Sequence, residues 1–217
     1  MPPAWRAQGH PGYPPGTRGA LRLGAERTTT AVTRLVTFIR IDLCPRPGIA
    51  GMDRMAAIDL LLKRNAELKD AVRGDRSSPR PSLHVAILTC MDARIRVFEL
   101  FGLLQGESHV LRNAGGVVTD DMIRSLALSQ RKLGTKEVLI VQHTECGLNA
   151  VTEDSFKDEL EADTGIRPPW AVEAFRDVHD NVRQSIRRVR TSQYLPHTDV
   201  VRGFVYDVRT GQLTEVS

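Results

Sequence analysis

Apolar positions change period several times along the chain, and each change marks an element. From residue 53 the spacing is helical: Met55, Ile58, Leu61, Leu62, Leu68 and Val72 recur at intervals of three and four, and Gly74 ends the run. A polar linker with two prolines covers 76–81, and the apolar run Val85-Ala86-Ile87-Leu88 then predicts a strand over 84–88. Val97, Phe98, Phe101 and Leu104 predict a helix, and 109–111 a second strand running into Arg112-Asn113-Ala114-Gly115-Gly116. Those glycines let main chain pass close to a neighbour or take positive φ in a tight turn. Thr119 or Asp120 can cap the next helix, in which Asp120 and Asp121 suit the helix dipole, Met122, Ile123, Leu126 and Leu133 form the buried face, and Gly134 is the stop. The run Val138-Leu139-Ile140-Val141 follows at once as a third strand. This order predicts βαβ units, hence an α/β fold with a mostly parallel central sheet flanked by helices and preceded by an N-terminal helical arm.

Beyond the third strand, 152–161 reads as a short acidic helix, and Pro168-Pro169 precede a longer one carrying Phe175, Val178, Val182, Ile186 and Val189 on one face. Arg183, Arg187, Arg188 and Arg190 decorate its outside and C-terminal end, a pattern read as a solvated face complementing the dipole. Segments 203–208 and 212–216 around Thr210-Gly211 predict a closing hairpin or sheet-edge pair.

Residues 1–51 differ in kind. They hold prolines at 2, 3, 11, 14, 15, 45 and 47, a composition that cannot bury a core. The expected organisation is a disordered leader over 1–51, or an upstream reading frame with translation starting at Met52 or Met55, followed by one domain over 52–217. The leader also carries the charge. Its seven arginines face only Glu26 and Asp42, a surplus of five within a formal total of +4, so the rest of the chain is close to neutral. The basic pI therefore does not argue for a nucleic-acid partner. No run approaches the roughly 18 apolar residues of a membrane span. Three cysteines in no regular framework argue for a reducing compartment, and the expected location is cytoplasmic, without membrane attachment.

Candidate chemistry gathers where strands give way to loops, the place α/β sheets use for function. Cys90 follows the first strand, and His143-Thr144-Glu145-Cys146 follows the third. Two thiolates and one imidazole suit Zn²⁺, and three protein ligands leave a position open, as catalytic zinc sites do. Asp92 and Arg94, two residues apart beside Cys90, form a natural pair, because the planar guanidinium can hold a carboxylate in one orientation. Cys44 lies in the leader. His84, His109, His179 and His197 have no Cys or carboxylate at ligand spacing and read as structural or surface residues.

Cys90-Met91-Asp92-Ala93-Arg94, Arg112-Asn113-Ala114-Gly115-Gly116 and His143-Thr144-Glu145-Cys146-Gly147 resemble, in order and spacing, the motifs of the β-class carbonic anhydrases, and the resemblance covers about 53–217. It implies zinc-dependent interconversion of CO₂ and bicarbonate, a dimer or higher multiple such as a tetramer, and N-terminal helices that wrap onto the partner subunit. Carried over by position, Cys90, His143 and Cys146 bind zinc, while Asp92 and Arg94 orient the zinc-bound hydroxide that attacks CO₂. Gly115 and Gly116 are the expected substrate-binding positions. Asp92 is a conditional fourth ligand in a closed state. Many members have Gln-Pro-Gly-Asp before the second strand, with the Gln contacting bicarbonate. Here Leu104-Gln105-Gly106-Glu107 puts leucine at that position, which places the chain nearer members lacking the contact. Gln142 and Glu145 receive no role from the motif. A rival reading is a zinc enzyme acting on carbonyl sulfide or carbon disulfide; a second is a purely structural zinc site, which would have no use for the Asp–Arg pair.

Overall fold

The structure, a computed structural model, describes residues 56–68 and 78–217. The predicted leader lies outside them, as do Met55, Val72 and Gly74 of the predicted arm. Helix α1 (Ala57–Leu68) lies at the boundary between two units and buries none of its own side chains; Ile58, Leu61 and Leu62 are exposed on it. The second unit, Glu67–Ser217, holds the sheet.

Five strands form that sheet: β1 (Val85–Cys90), β2 (Ser108–Asn113), β3 (Glu137–His143), β4 (Val201–Tyr206) and β5 (Leu213–Val216). Their order is β2-β1-β3-β4-β5, parallel at the first three pairings and antiparallel between β4 and β5. The sequence signals agree with this, and the predicted closing hairpin is the β4–β5 pair. Strands β1 and β3 are continuous apolar runs because both faces of the sheet are covered. On one face Leu88, Ile140, Val138 and Val205 pack with Leu126 of helix α3 (Asp120–Leu133) and with Val182, Ile186 and Val189 of helix α5 (Val178–Arg190). On the other, Ile87 and Val141 pack with Ile95, Val97, Val117 and Phe175; Val97 opens the short helix α2 (Val97–Phe101).

Local chemistry explains the ends of the helices. Thr119 caps α3 by accepting from the Met122 amide, and Gly134 closes it in the left-handed conformation. Thr152 caps helix α4 (Glu153–Thr164) in a reciprocal box with Ser155. Helix α5 starts later than its apolar spacing predicted: Asp177 caps it by accepting from the Asp180 amide, so Phe175 precedes the helix. Strand β1 in turn runs further than predicted, with Cys90 as its last residue.

The arginines of α5 are more than a solvated face. Arg188 pairs with Glu173 at 2.8 Å and donates to the Val118 carbonyl at 2.7 Å, while Arg190 donates to the Val201 carbonyl. They tie α5 to the main chain ahead of α3 and at the start of β4. Gly203 of β4 lies beneath α5; a Cβ there would meet Ile186 Cδ1 at 2.8 Å, so the missing side chain sets how closely helix and sheet approach.

Candidate metal centre

The C-terminal ends of β1 and β3 are neighbours, with Thr89 opposite Val141, and this register brings the two sequence motifs together. Cys90 ends β1, His143 ends β3, and Cys146 follows in the next loop, with ligand atoms all within 4.8 Å of one another. All three residues are buried. His143 Nδ1 is bonded to the Thr144 carbonyl at 2.8 Å, which leaves Nε2 to face the sulfurs with no hydrogen-bond partner. An unpartnered buried ring nitrogen beside two thiols is costly unless an electrophile completes it, so the donor set fits Zn²⁺.

The electrostatics point the same way. The neighbouring Cys146 thiol holds the Cys90 pKa down to about 4, although burial opposes this; the His143 ring and the Asp92 and Gly115 amides also favour that thiolate. Cys146 is pushed up by the adjacent Cys90 sulfur and by burial. A divalent cation between the two sulfurs would favour both as thiolates and release protons on binding. Burial disfavours the His143 imidazolium, yet the neighbouring Cys90 sulfur, the Thr144 carbonyl and the Asp92 charge outweigh burial and raise it overall.

Asp92 and Arg94 face each other as the sequence suggested. The Arg94 amide and Nε donate to Oδ1 at 2.9 and 3.0 Å, and Nη2 donates to Oδ2 at 2.8 Å. Arg94 holds the Asp92 carboxyl far below the usual carboxylate range. Asp92 Oδ2 is 3.8 Å from His143 Nε2, beside the ligand cluster.

Gly115 and Gly116 follow β2 in a turn with φ of +75° and +63°. Gly116 lies on main chain: a Cβ would meet the Cys90 nitrogen at 2.8 Å and the Thr89 carbonyl carbon at 2.9 Å. Close packing and positive φ therefore account for these glycines without a ligand. Asn113 closes the turn, its side chain bonding both the amide and the carbonyl of Val117.

Three residues near the site were missed in sequence. Arg112 donates to the carbonyls of Cys90 and Asp92 at 2.9 and 2.6 Å and braces the ligand loop; its place in the glycine motif was the available signal. Gln142 is fully buried and donates to Asn181 Oδ1 at 2.6 Å and to the Gly116 carbonyl at 3.2 Å. Glu145 contacts Arg94 from the opposite loop. His84 and His109 are structural, as expected, bonded to Gly134 and to Ser129 and Pro79. An apolar surface hollow runs along α3, between Ile123, Leu128 and Tyr194, and includes none of the site residues.

Residues 85–184 match the family model described as carbonic anhydrase. The chain is 47% identical over 163 residues to beta-carbonic anhydrase 1 of Mycobacterium tuberculosis, a match covering 75% of this chain and 99% of that protein. A carbon disulfide hydrolase of Acidithiobacillus thiooxidans is 32% identical over 148 residues, covering 58% of this chain and 74% of the relative. The crystal structure of a carbonic anhydrase from Streptococcus mutans superposes with a TM-score of 0.71 at 37% identity, covering 75% of this chain and 99% of that one. With these likenesses and a Cys-His-Cys cluster at the ends of β1 and β3, the chain belongs to the β-class carbonic anhydrases.

Proposed function

We propose that the protein catalyses the reversible hydration of carbon dioxide to bicarbonate with one Zn²⁺ held by Cys90, His143 and Cys146. The observation that carries this reading is the unpartnered His143 Nε2 converging with two sulfurs beside an ionised, arginine-held carboxylate. When bound there, Zn²⁺ supplies Lewis acidity that generates a nucleophile from water at neutral pH. Asp92 stays ionised and acts as a hydrogen-bond acceptor, aiming the attacking group, and cannot itself donate. Arg94 fixes the plane of that carboxylate through three donors, so little reorganisation is needed during the reaction. Gly115 and Gly116 border the site and limit the space in which a small linear substrate sits. If Asp92 leaves Arg94, its carboxylate is positioned to join the ligand set as a fourth donor, a closed resting state that crystal structures across pH would reveal.

The exposed Ile58, Leu61 and Leu62 of α1 support pairing of two chains, with each α1 covering the other subunit; sedimentation velocity measures it. Among the described residues no helix is long and apolar enough to cross a membrane, and a cytoplasmic location is part of the proposal.

The test is stopped-flow CO₂ hydration on zinc-assayed protein near pH 7 and near pH 8.5, beside Asp92→Asn. Fast hydration that rises with pH, with Asp92→Asn keeping zinc but slowed by about tenfold or more, is expected. Zinc-loaded protein inactive at both pH values would refute the reading, and carbonyl sulfide and carbon disulfide would then be assayed, given the hydrolase relatives.

A further inference from the structure

Glu145 occupies an unusual conformation in an informative place. It lies between the ligands His143 and Cys146, and its φ of +56° puts it in the left-handed region that glycine adopts freely and other residues only at a cost. Its side chain and main chain both meet Arg94. Glu145 Oε2 is 3.4 Å from Arg94 Nη1, and its carbonyl accepts from Arg94 Nη2 at 3.1 Å. The guanidinium is therefore gripped on two sides, by Asp92 on its Nε–Nη2 edge and by Glu145 on its Nη1–Nη2 edge.

The other carboxylate oxygen of Glu145 accepts from Arg209, which sits in the turn between β4 and β5. That turn is itself closed. Asp207 Oδ1 accepts from the amides of Arg209 and Thr210, and Thr144 ties the turn to the ligand loop through its amide to Tyr206 O and its hydroxyl from the Val208 amide. Charges alternate along one line, Arg209, Glu145, Arg94, Asp92, from the sheet edge to the ligand cluster.

We propose that Glu145 is a positioning residue: it fixes the guanidinium of Arg94, and thereby sets how firmly Arg94 holds Asp92 and where Arg94 stays when Asp92 leaves it. This rests on the reading that the Asp92–Arg94 pair serves hydration. Without the Glu145 carboxylate, Arg94 keeps its contacts to Asp92 and to the main-chain carbonyl at 145 but loses the charged brace on Nη1, so the guanidinium turns more freely and holds the Asp92 carboxylate less firmly. Side chains as exposed as these contribute little to folding, so the effect belongs to turnover.

The test compares wild type, Glu145→Gln, Glu145→Gly, Asp92→Asn and the double variant Asp92→Asn/Glu145→Gln. Zinc content, urea unfolding and kcat/KM for CO₂ hydration are measured on each. Glu145→Gln is expected to keep its zinc and its urea midpoint while kcat/KM falls about two- to fivefold, the range an exposed ion pair commands. In the Asp92→Asn background the same change has no further effect, because Glu145 acts only through the pair. Glu145→Gly relieves the positive φ, so its midpoint is not lower than wild type, yet it shows the same kinetic loss. An unchanged kcat/KM in Glu145→Gln overturns the inference, as does an equal loss with and without Asp92. If Asp92→Asn itself runs at the wild-type rate, the reading of the pair has failed, a result distinct from the other two.

Discussion

Replacing Gly116 by alanine should damage both fold and metal site, and the amount can be worked from its surroundings. At φ +63° any residue with a Cβ strains its own backbone, at roughly 1–2 kcal/mol. The added carbon would also stand 2.8 Å from the Cys90 nitrogen, 2.9 Å from the Thr89 carbonyl carbon and 3.2 Å from the Val141 oxygen. These are main-chain atoms of two paired central strands, which cannot swing aside as a side chain can. Overpacking of this kind costs about 1–3 kcal/mol more, for a total of about 2–5 kcal/mol. Gly102→Ala is the matched control: it has φ +60° and nothing within 4 Å of the added carbon, so it carries the conformational cost alone. Because the crowded nitrogen is that of a proposed ligand, Gly116→Ala should also move Cys90 and weaken zinc binding, which Gly102→Ala should not. Urea unfolding at fixed protein concentration, with and without chelator, measures the difference, provided the slope is shared. Each kcal/mol corresponds to about 2–4 °C in a chain of this size, which thermal scans resolve. Equal losses in the two variants, with full zinc in both, would refute the reasoning.

Cys146→Ser should bind well under one zinc per chain, and its urea midpoint should no longer respond to chelator, whereas wild type loses stability when metal is removed; a fully loaded, chelator-sensitive Cys146→Ser would show that Cys146 is not a ligand. The pH dependence of Asp92 has a definite sign. Its folded pKa is depressed by Arg94 from an ordinary value of 3.8, so its contribution to stability is complete above that value and disappears only as pH falls through the folded one. The stability difference between wild type and Asp92→Asn in metal-free protein should therefore be flat from about pH 8 to about pH 5 and close only below about pH 4; closure between pH 7 and 5 would show that Arg94 does not hold the carboxylate.

Much of the architecture was legible because its causes are local. The apolar runs of β1 and β3, the Thr119 cap and the Gly134 stop of α3 act over a few residues, and their pattern is written directly in the chain. The beginning of α5 was misread for the same kind of reason. Phe175 falls in phase with Val178 and Val182, and only the Asp177 cap, which breaks the helix between them, reassigns it to the opposite face of the sheet beside Val117.

The site divides along the same line. The sequence by itself determined the types of donor, their order, and the Asp92–Arg94 pairing, since residues two apart in one loop meet without help from the rest of the fold. Tertiary structure decided everything that joins one loop to another. The pairing of β1 with β3 brings Cys90 to His143 and Cys146, Arg112 reaches back to the Cys90 carbonyl, and Arg209 reaches Glu145 from a turn 64 positions away. Such meetings depend on strand order and register, which the burial of both sheet faces sets collectively, and no local period in the sequence encodes them.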